Sequence, residues 1–83
     1  MKTTIYTADY CPYCKAALKF LDEHNVKYER IRIDDDEETF IRKLADMIGQ
    51  KEEATVPQIF MDGVSIGGYT DMIKKYEKGE LNL

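Results

Sequence analysis

Two cysteines lie three positions apart, at Cys11 and Cys14, and the 83-residue chain contains no others. The residues before them read as a strand, and Pro12 favours the first position of a helix. Free N–H groups and the dipole at a helix start stabilise an anion. We therefore expect Cys11 to be an exposed thiolate that attacks disulfides, and Cys14 to be a more buried resolving thiol. Lys15 would support the thiolate and Asp9 would oppose it.

Structural disulfides and zinc sites use the same cysteine spacing. A disulfide that closes so short a loop restricts the unfolded chain little, and the cytosol keeps thiols reduced. Zinc requires four ligands, and the only histidine, His24, lies about 15 Å from Cys14 along the predicted helix at 1.5 Å per residue. We therefore predict a redox pair, no metal site, and a surface position for His24 near the helix C-terminus.

The composition restricts the possible partners. Twelve Lys and Arg against sixteen Asp and Glu leave a formal charge of -4, which argues against a nucleic-acid binder. The mean hydropathy of -0.51 suits a soluble globular protein, and no apolar run approaches the roughly 18 residues that cross a bilayer. The N-terminus lacks a signal-peptide core. We expect one domain over residues 1–83, a monomer, a cytoplasmic location, and neither nucleic-acid nor membrane partners.

The first half of the chain predicts the elements that position the cysteines. A strand over Thr3–Thr7 precedes a helix over residues 13–24, which Asn25 would cap. A second strand follows over residues 26–33. The acidic run over residues 34–38 opens a second helix, and Gly49 ends it. The predicted buried face of this second helix comprises Phe40, Ile41, Leu44, Met47 and Ile48.

The second half predicts a hairpin and a closing helix. After a polar loop over residues 50–54, strands over Gln58–Met61 and residues 64–66 flank Asp62-Gly63, which favours a tight hairpin turn. A helix with the apolar residues Tyr69, Met72, Ile73 and Tyr76 follows and ends at Gly79. The order β-α-β-α-β-β-α predicts an α/β fold. It comprises a parallel β-α-β unit, an antiparallel hairpin and three helices packed on a four-stranded mixed sheet.

Three separated motifs in this order resemble the glutaredoxins, small thiol–disulfide oxidoreductases that use glutathione. The motifs are Cys11-Pro12-Tyr13-Cys14, Thr55-Val56-Pro57-Gln58-Ile59-Phe60 and Gly67-Gly68-Tyr69-Thr70-Asp71. The resemblance spans residues 4 to about 76. It implies a thioredoxin-like fold, a dithiol mechanism at Cys11 and Cys14, no tightly bound cofactor, and glutathione as co-substrate. Its implied partners are glutathionylated and disulfide-containing proteins.

The resemblance also implies a glutathione site. The peptide bond before Pro57 would be cis, and the Val56 backbone would pair with the cysteinyl part of glutathione. The N–H groups near Thr70 would receive the γ-glutamyl carboxylate, and Asp71 its ammonium. Alternatively, Thr70 and Asp71 only cap the last helix. The implied glutathione-binding residues are Tyr13, Thr55, Val56, Pro57, Gly68, Thr70 and Asp71.

One departure from the family pattern concerns charge. Many glutaredoxins carry a lysine where this chain has Ala8, and this lysine helps to bind the glycyl carboxylate of glutathione and to support the thiolate. Its absence, next to Asp9, predicts weaker glutathione binding or a less stable Cys11 thiolate unless Arg42 or Lys51 replaces it. Two alternative functions stay open. One is a thioredoxin-like electron donor to ribonucleotide reductase. The other is a carrier in which two chains and two glutathiones hold an iron–sulfur cluster through Cys11.

Overall fold

A mixed sheet separates the helices of the computed structural model, which describes residues 2–81 and 83. The sheet order is β2-β1-β3-β4, with β1 parallel to β2 and antiparallel to β3, and β3 antiparallel to β4. The predicted element order and mixed sheet are therefore confirmed. The elements are β1 (Thr3–Thr7), α1 (Pro12–Glu23), β2 (Tyr28–Arg32), α2 (Glu37–Ile48), β3 (Gln58–Met61), β4 (Val64–Gly67) and α3 (Tyr69–Glu77).

The two faces of the sheet bury different helices because neighbouring strand residues point to opposite sides. Ile5 and Ile59 pack against Leu21 of α1 and Met72 of α3, and all four side chains are fully buried. On the other face, residues from α2 and the sheet form a second cluster, which contains Leu44, Ala45, Ala54 and Phe60. Strand β1 is therefore covered on both faces, and the turn that follows it leads to Cys11.

Each helix ends in the same way. The residue with a positive φ follows directly after α2, at Gly49 (76°), and one residue later after α1 and α3, at Asn25 (57°) and Gly79 (74°). In α1, Asn25 N–H donates to the Asp22 carbonyl at 3.1 Å and Val26 N–H donates to the Leu21 carbonyl at 2.9 Å. This pair of bonds is a Schellman motif, which satisfies carbonyls that the helix leaves free.

Three predictions about these elements are wrong in detail. Strand β2 begins at Tyr28 rather than at residue 26, because the Val26 N–H closes α1 instead of joining the sheet. Met47 does not belong to the buried face of α2, since it is 47% exposed whereas Ala45 is 6% exposed. The acidic residues Asp34–Asp36 form a separate 3₁₀ turn, and α2 begins only at Glu37.

Candidate active site

The Cys11 sulfur caps helix α1. Its Sγ accepts a hydrogen bond from the Cys14 backbone N–H at 3.1 Å, and its thiol donates to the Val56 carbonyl at 3.5 Å. Pro12 occupies the first position of the helix, where no N–H is needed. Both thiols are free. The Cys11 sulfur therefore lies between a helix N-terminus, which favours an anion, and the loop that precedes Pro57.

The expectation that Cys11 is exposed is wrong. Its residue exposure is 6%, against 1% for Cys14. The turn residue Ala8 packs against the two cysteines with Ile33, and Val56 covers this cluster from the facing loop. Burial, followed by the hydrogen bond with Cys11, raises the pKa of Cys14 to about 12. The two thiols differ in chemical environment more than in exposure.

The peptide bond between Val56 and Pro57 is cis. Strand β3 begins at the next residue, Gln58, and both Pro57 and Gln58 are buried. The Gln58 side-chain amide donates from Nε2 to the Thr55 carbonyl at 2.8 Å. This bond joins the two ends of the turn and holds the backbone of Val56 opposite the cysteines.

The start of helix α3 depends on glycine. Gly67 has a φ of 96°, and a Cβ atom there would lie 2.5 Å from the Asp71 carboxylate oxygen Oδ2. The same oxygen accepts the Gly68 N–H at 3.1 Å. Asp71 therefore caps its own helix, as the alternative reading of this motif supposed. Thr70 is exposed in the first turn.

A cavity of about 410 Å³ lies between Tyr13, the turn at Pro57 and the start of α3, and neither Cys11 nor Cys14 is among its described lining residues. Its size lies within the range of small-molecule sites. It brings together every residue that the resemblance implies for glutathione: Tyr13, Thr55, Val56, Pro57, Gly68, Thr70 and Asp71. Glu53 and Asp71 are the acidic lining residues, and none of the described lining residues is Lys or Arg.

Two tyrosines form an aromatic edge of this cavity. The rings of Tyr13 and Tyr69 are stacked, with their centroids 6.1 Å apart and an interplanar angle of 26°. Tyr13 is 63% exposed, whereas Tyr69 is half-buried and packs against the core. Tyr10 is also exposed, and its hydroxyl donates to Glu37. That hydrogen bond raises the pKa of Tyr10 to about 12.

Arg42 and Lys51 do not line this cavity. They border a separate depression of about 750 Å³ beside α2. Arg42 pairs with Glu38 at 3.3 Å, one turn earlier on the same helix. The two depressions meet at Gln50 and Glu53, which line both. The structure therefore does not bring either candidate replacement for the missing lysine into the cavity.

An ion-pair cluster on the turn that leads to Cys11 was not predicted from the sequence. Arg32 and Arg30 of β2 both hold the Asp9 carboxylate. The Arg32 hydrogen bond is the main cause that lowers the pKa of Asp9. The two arginines are two residues apart on a strand, so the sequence predicts that they share a face of the sheet. The sequence does not predict that Asp9 is their partner, because this contact depends on how β1 and β2 align.

The described part of the chain contains no helix that is long and apolar enough to cross a bilayer. Within the same residues, no three His, Cys, Asp or Glu side chains are grouped as a metal site would require.

His24 is half-buried at the far end of α1. Its Nδ1 lies 2.9 Å from the Phe20 carbonyl, and its ring packs between Phe20 and Tyr76.

A Cys-x-x-Cys pair at a helix start, facing a cis-proline loop on a mixed sheet, defines a thiol–disulfide oxidoreductase with a thioredoxin-like fold. The glutaredoxin family model matches residues 3–66. Glutaredoxin 1 of Rickettsia prowazekii is 38% identical, over 94% of this chain and 80% of its own length. The glutaredoxin of Neisseria meningitidis is 35% identical, over 95% and 89%. The chain belongs to the glutaredoxin family.

Solved structures agree with this assignment. A buckwheat glutaredoxin–glutathione complex superposes with a TM-score of 0.84 at 28% identity, covering 95% of this chain and 71% of that one. Glutaredoxin 1 of Francisella tularensis, complexed with cacodylate, has a TM-score of 0.79 at 34% identity, covering 93% of both chains. The thioredoxin-like fold is confirmed. The protein is a glutathione-dependent thiol–disulfide oxidoreductase, and neither alternative function is favoured over this one.

Proposed function

We propose that Cys11 is the attacking thiol of this oxidoreductase and that Cys14 resolves protein disulfides. The observation that carries the proposal is the Cys11 sulfur at the start of α1, where it accepts the Cys14 N–H. This donor and the helix dipole favour a thiolate at Cys11. Cys14 lies one turn further in, and its raised pKa keeps it a thiol until it is needed.

With a glutathionylated protein, the Cys11 thiolate attacks the glutathione sulfur. The S–S bond to the protein breaks, the protein thiolate leaves and takes up a proton, and Cys11 becomes glutathionylated. A second glutathione thiolate then attacks this mixed disulfide, and glutathione disulfide leaves with Cys11 reduced. Each turnover consumes one free glutathione: its sulfur and that of the substrate's glutathionyl group leave together as glutathione disulfide, while the protein thiol is reduced.

With a protein disulfide, Cys11 first forms a mixed disulfide with one substrate sulfur. Cys14 loses its proton and attacks the Cys11 sulfur, which releases the reduced protein and leaves a Cys11–Cys14 disulfide. Two glutathione molecules reduce this disulfide in turn, and glutathione reductase with NADPH would restore them. Ribonucleotide reductase is one candidate among the disulfide-containing partners.

Glutathione would bind in the cavity of about 410 Å³ as an extended peptide. Its cysteinyl backbone would pair with Val56 in the manner of an added strand. The γ-glutamyl carboxylate would face the N–H groups of α3 near Thr70, and its ammonium would face Asp71. Tyr13, Thr55, Pro57 and Gly68 would complete the walls. The complex of buckwheat glutaredoxin with glutathione supports this assignment by similarity.

The charge of the cavity predicts a high Michaelis constant for glutathione. Its described lining has two carboxylates and no basic residue to meet the glycyl carboxylate. If Arg42 and Lys51 nevertheless serve that carboxylate, Arg42→Ala and Lys51→Ala should each raise the constant. We also propose that residues 1–83 act as one domain, as a monomer in the cytoplasm, with no tightly bound cofactor.

The test compares two reducing systems and two cysteine variants on one mixed-disulfide substrate. Turnover should require glutathione with glutathione reductase, and thioredoxin reductase should not replace them. Cys14→Ser should keep deglutathionylation but lose the reduction of protein disulfides, whereas Cys11→Ser should lose both. Deglutathionylation that survives in Cys11→Ser would overturn the assignment of the attacking thiol.

A further inference from the structure

The turn between β1 and Cys11 carries a carboxylate that two arginines hold. Asp9 Oδ1 accepts from Arg32 Nε at 3.0 Å and lies 3.4 Å from an Arg30 terminal nitrogen. Asp9 Oδ2 accepts from the other arm of Arg32. The fork of Arg32 thus binds both carboxylate oxygens, which is the stronger geometry for such a pair. Asp9 lies two residues before the attacking thiol.

Further contacts hold the arginines in place. Arg30 Nε donates to the buried Thr7 hydroxyl at 2.9 Å. Arg32 Nε also lies 3.7 Å from Asp34 Oδ1, and the other oxygen of Asp34 accepts the Asp9 backbone N–H at 3.0 Å. The two arginines and the two aspartates therefore form a cluster with no net charge.

We propose that Arg30 and Arg32 cancel the charge of Asp9, two residues before Cys11, and thereby keep the Cys11 thiolate available for attack. The inference rests on the proposed function, in which Cys11 is the attacking thiol. Without the arginines, the Asp9 carboxylate would destabilise a second anion nearby. Strand β2 would thus supply the positive charge that Ala8 cannot provide. The arginines are positioning residues that act through Asp9.

Other charged or titratable groups border the same site. On α1, Lys15 also lowers the pKa of Asp9, but less than either arginine, and Cys14 is held as a thiol. Glu37 of α2 is engaged by Tyr10. Asp71 of α3 caps its own helix. The segment Thr55-Val56-Pro57, which faces Cys11, has no titratable side chain.

A purely mechanical role for the cluster makes a different prediction. If the contacts only hold the turn in place, a substitution at Asp9 and one at Arg32 should change the reaction rate of Cys11 in the same direction. If their charges matter, the two substitutions should change this rate in opposite directions. Arg32→Gln leaves the Asp9 carboxylate with Arg30 as its remaining arginine partner, whereas Asp9→Asn leaves the two arginines opposed by Asp34 alone.

The experiment measures the rate at which iodoacetamide alkylates Cys11 in the reduced protein, followed by peptide mass spectrometry across pH. Arg32→Gln should slow alkylation about threefold at neutral pH and Asp9→Asn should accelerate it about threefold, each a shift of about half a pH unit in the midpoint. The Arg32→Gln/Asp9→Asn double variant should return close to the unmodified rate. Added salt should shrink both effects, because the side chains are exposed.

Lys43→Gln is the control, since it removes one positive charge from an exposed position of α2 and should leave the rate unchanged. Changes of the same sign in Asp9→Asn and Arg32→Gln, or no change in either, would overturn the inference. Alkylation requires no glutathione, so its result is independent of turnover. If Cys11→Ser still turns over, the proposed function fails instead, whatever the alkylation rates show.

Discussion

The glycine at the start of α3 offers a quantitative test of the site geometry. In Gly67→Ala, the alanine would have to keep a φ of 96°, and its Cβ would approach Asp71 Oδ2 to 2.5 Å. The backbone conformation costs about 1–2 kcal/mol for a residue with a side chain. The displaced carboxylate also loses its bond to the Gly68 N–H, a helix cap worth about 1 kcal/mol. We expect a total loss of about 2–3 kcal/mol in the free energy of unfolding, the sum of these two contributions.

Gly63→Ala is the matched control. Gly63 has a similar positive φ of 81°, but its Cβ would meet nothing within 4 Å. It should therefore cost only the backbone contribution of about 1–2 kcal/mol. Asp71→Ala should cost about 1 kcal/mol through the lost cap. In the Asp71→Ala background, Gly67→Ala should cost less, because its closest contact is then removed.

The assay is urea unfolding of each reduced variant at one temperature, with the slope on denaturant checked for constancy. Steady-state kinetics should follow, because Gly67→Ala also moves a carboxylate proposed to hold the glutathione ammonium. We expect its Michaelis constant for glutathione to rise more than its kcat falls. A Gly67→Ala variant as stable as Gly63→Ala would refute the reasoning from the contact with Asp71.

Three further predictions concern pH, packing and the cis-proline turn. Because the pKa of Cys14 is raised, the folded protein keeps a proton that the unfolded chain releases. The free energy of unfolding should therefore fall as pH rises from about 9 toward about 12. Urea unfolding of Cys14→Ala should show a smaller fall over the same range. Leu21→Ala should lose about 2–5 kcal/mol of unfolding free energy, more than Leu18→Ala, which removes a half-buried side chain of the same helix; equal losses would contradict the packing. The amide of Gln58 holds the Thr55 carbonyl. Gln58→Leu removes this hydrogen bond, worth about 1 kcal/mol, and should raise the Michaelis constant for glutathione about fivefold. An unchanged constant would show that this bond does not contribute to glutathione binding.

Local chemistry explains why much of the fold was predictable. Pro12 favours the first position of a helix, so the position of Cys11 as its cap was predictable from the sequence. Asp62 and Gly63 adopt positive φ values of 53° and 81°, as their hairpin requires. The alternating and helical apolar patterns then indicated the remaining elements. These signals act over a few residues and need no knowledge of the tertiary contacts.

The features that were not predictable depend on contacts between distant segments. Arg32 meets Asp9 only because β2 aligns with β1 in one register, in which Arg32 pairs with Thr7. The burial of Cys11 likewise depends on Val56, which is 45 residues away. The exposure of Met47 depends on how α2 is rotated on the sheet. A single sequence carries no direct signal for any of these alignments.

The central claim is that Cys11 attacks and Cys14 resolves. Its most direct test treats reduced Cys14→Ser and Cys11→Ser with glutathione disulfide under identical conditions and maps the modified residue by peptide mass spectrometry. The account predicts one glutathionyl group on Cys11 in the first variant and far slower modification of Cys14 in the second. Modification of Cys14 as fast as that of Cys11 would contradict it.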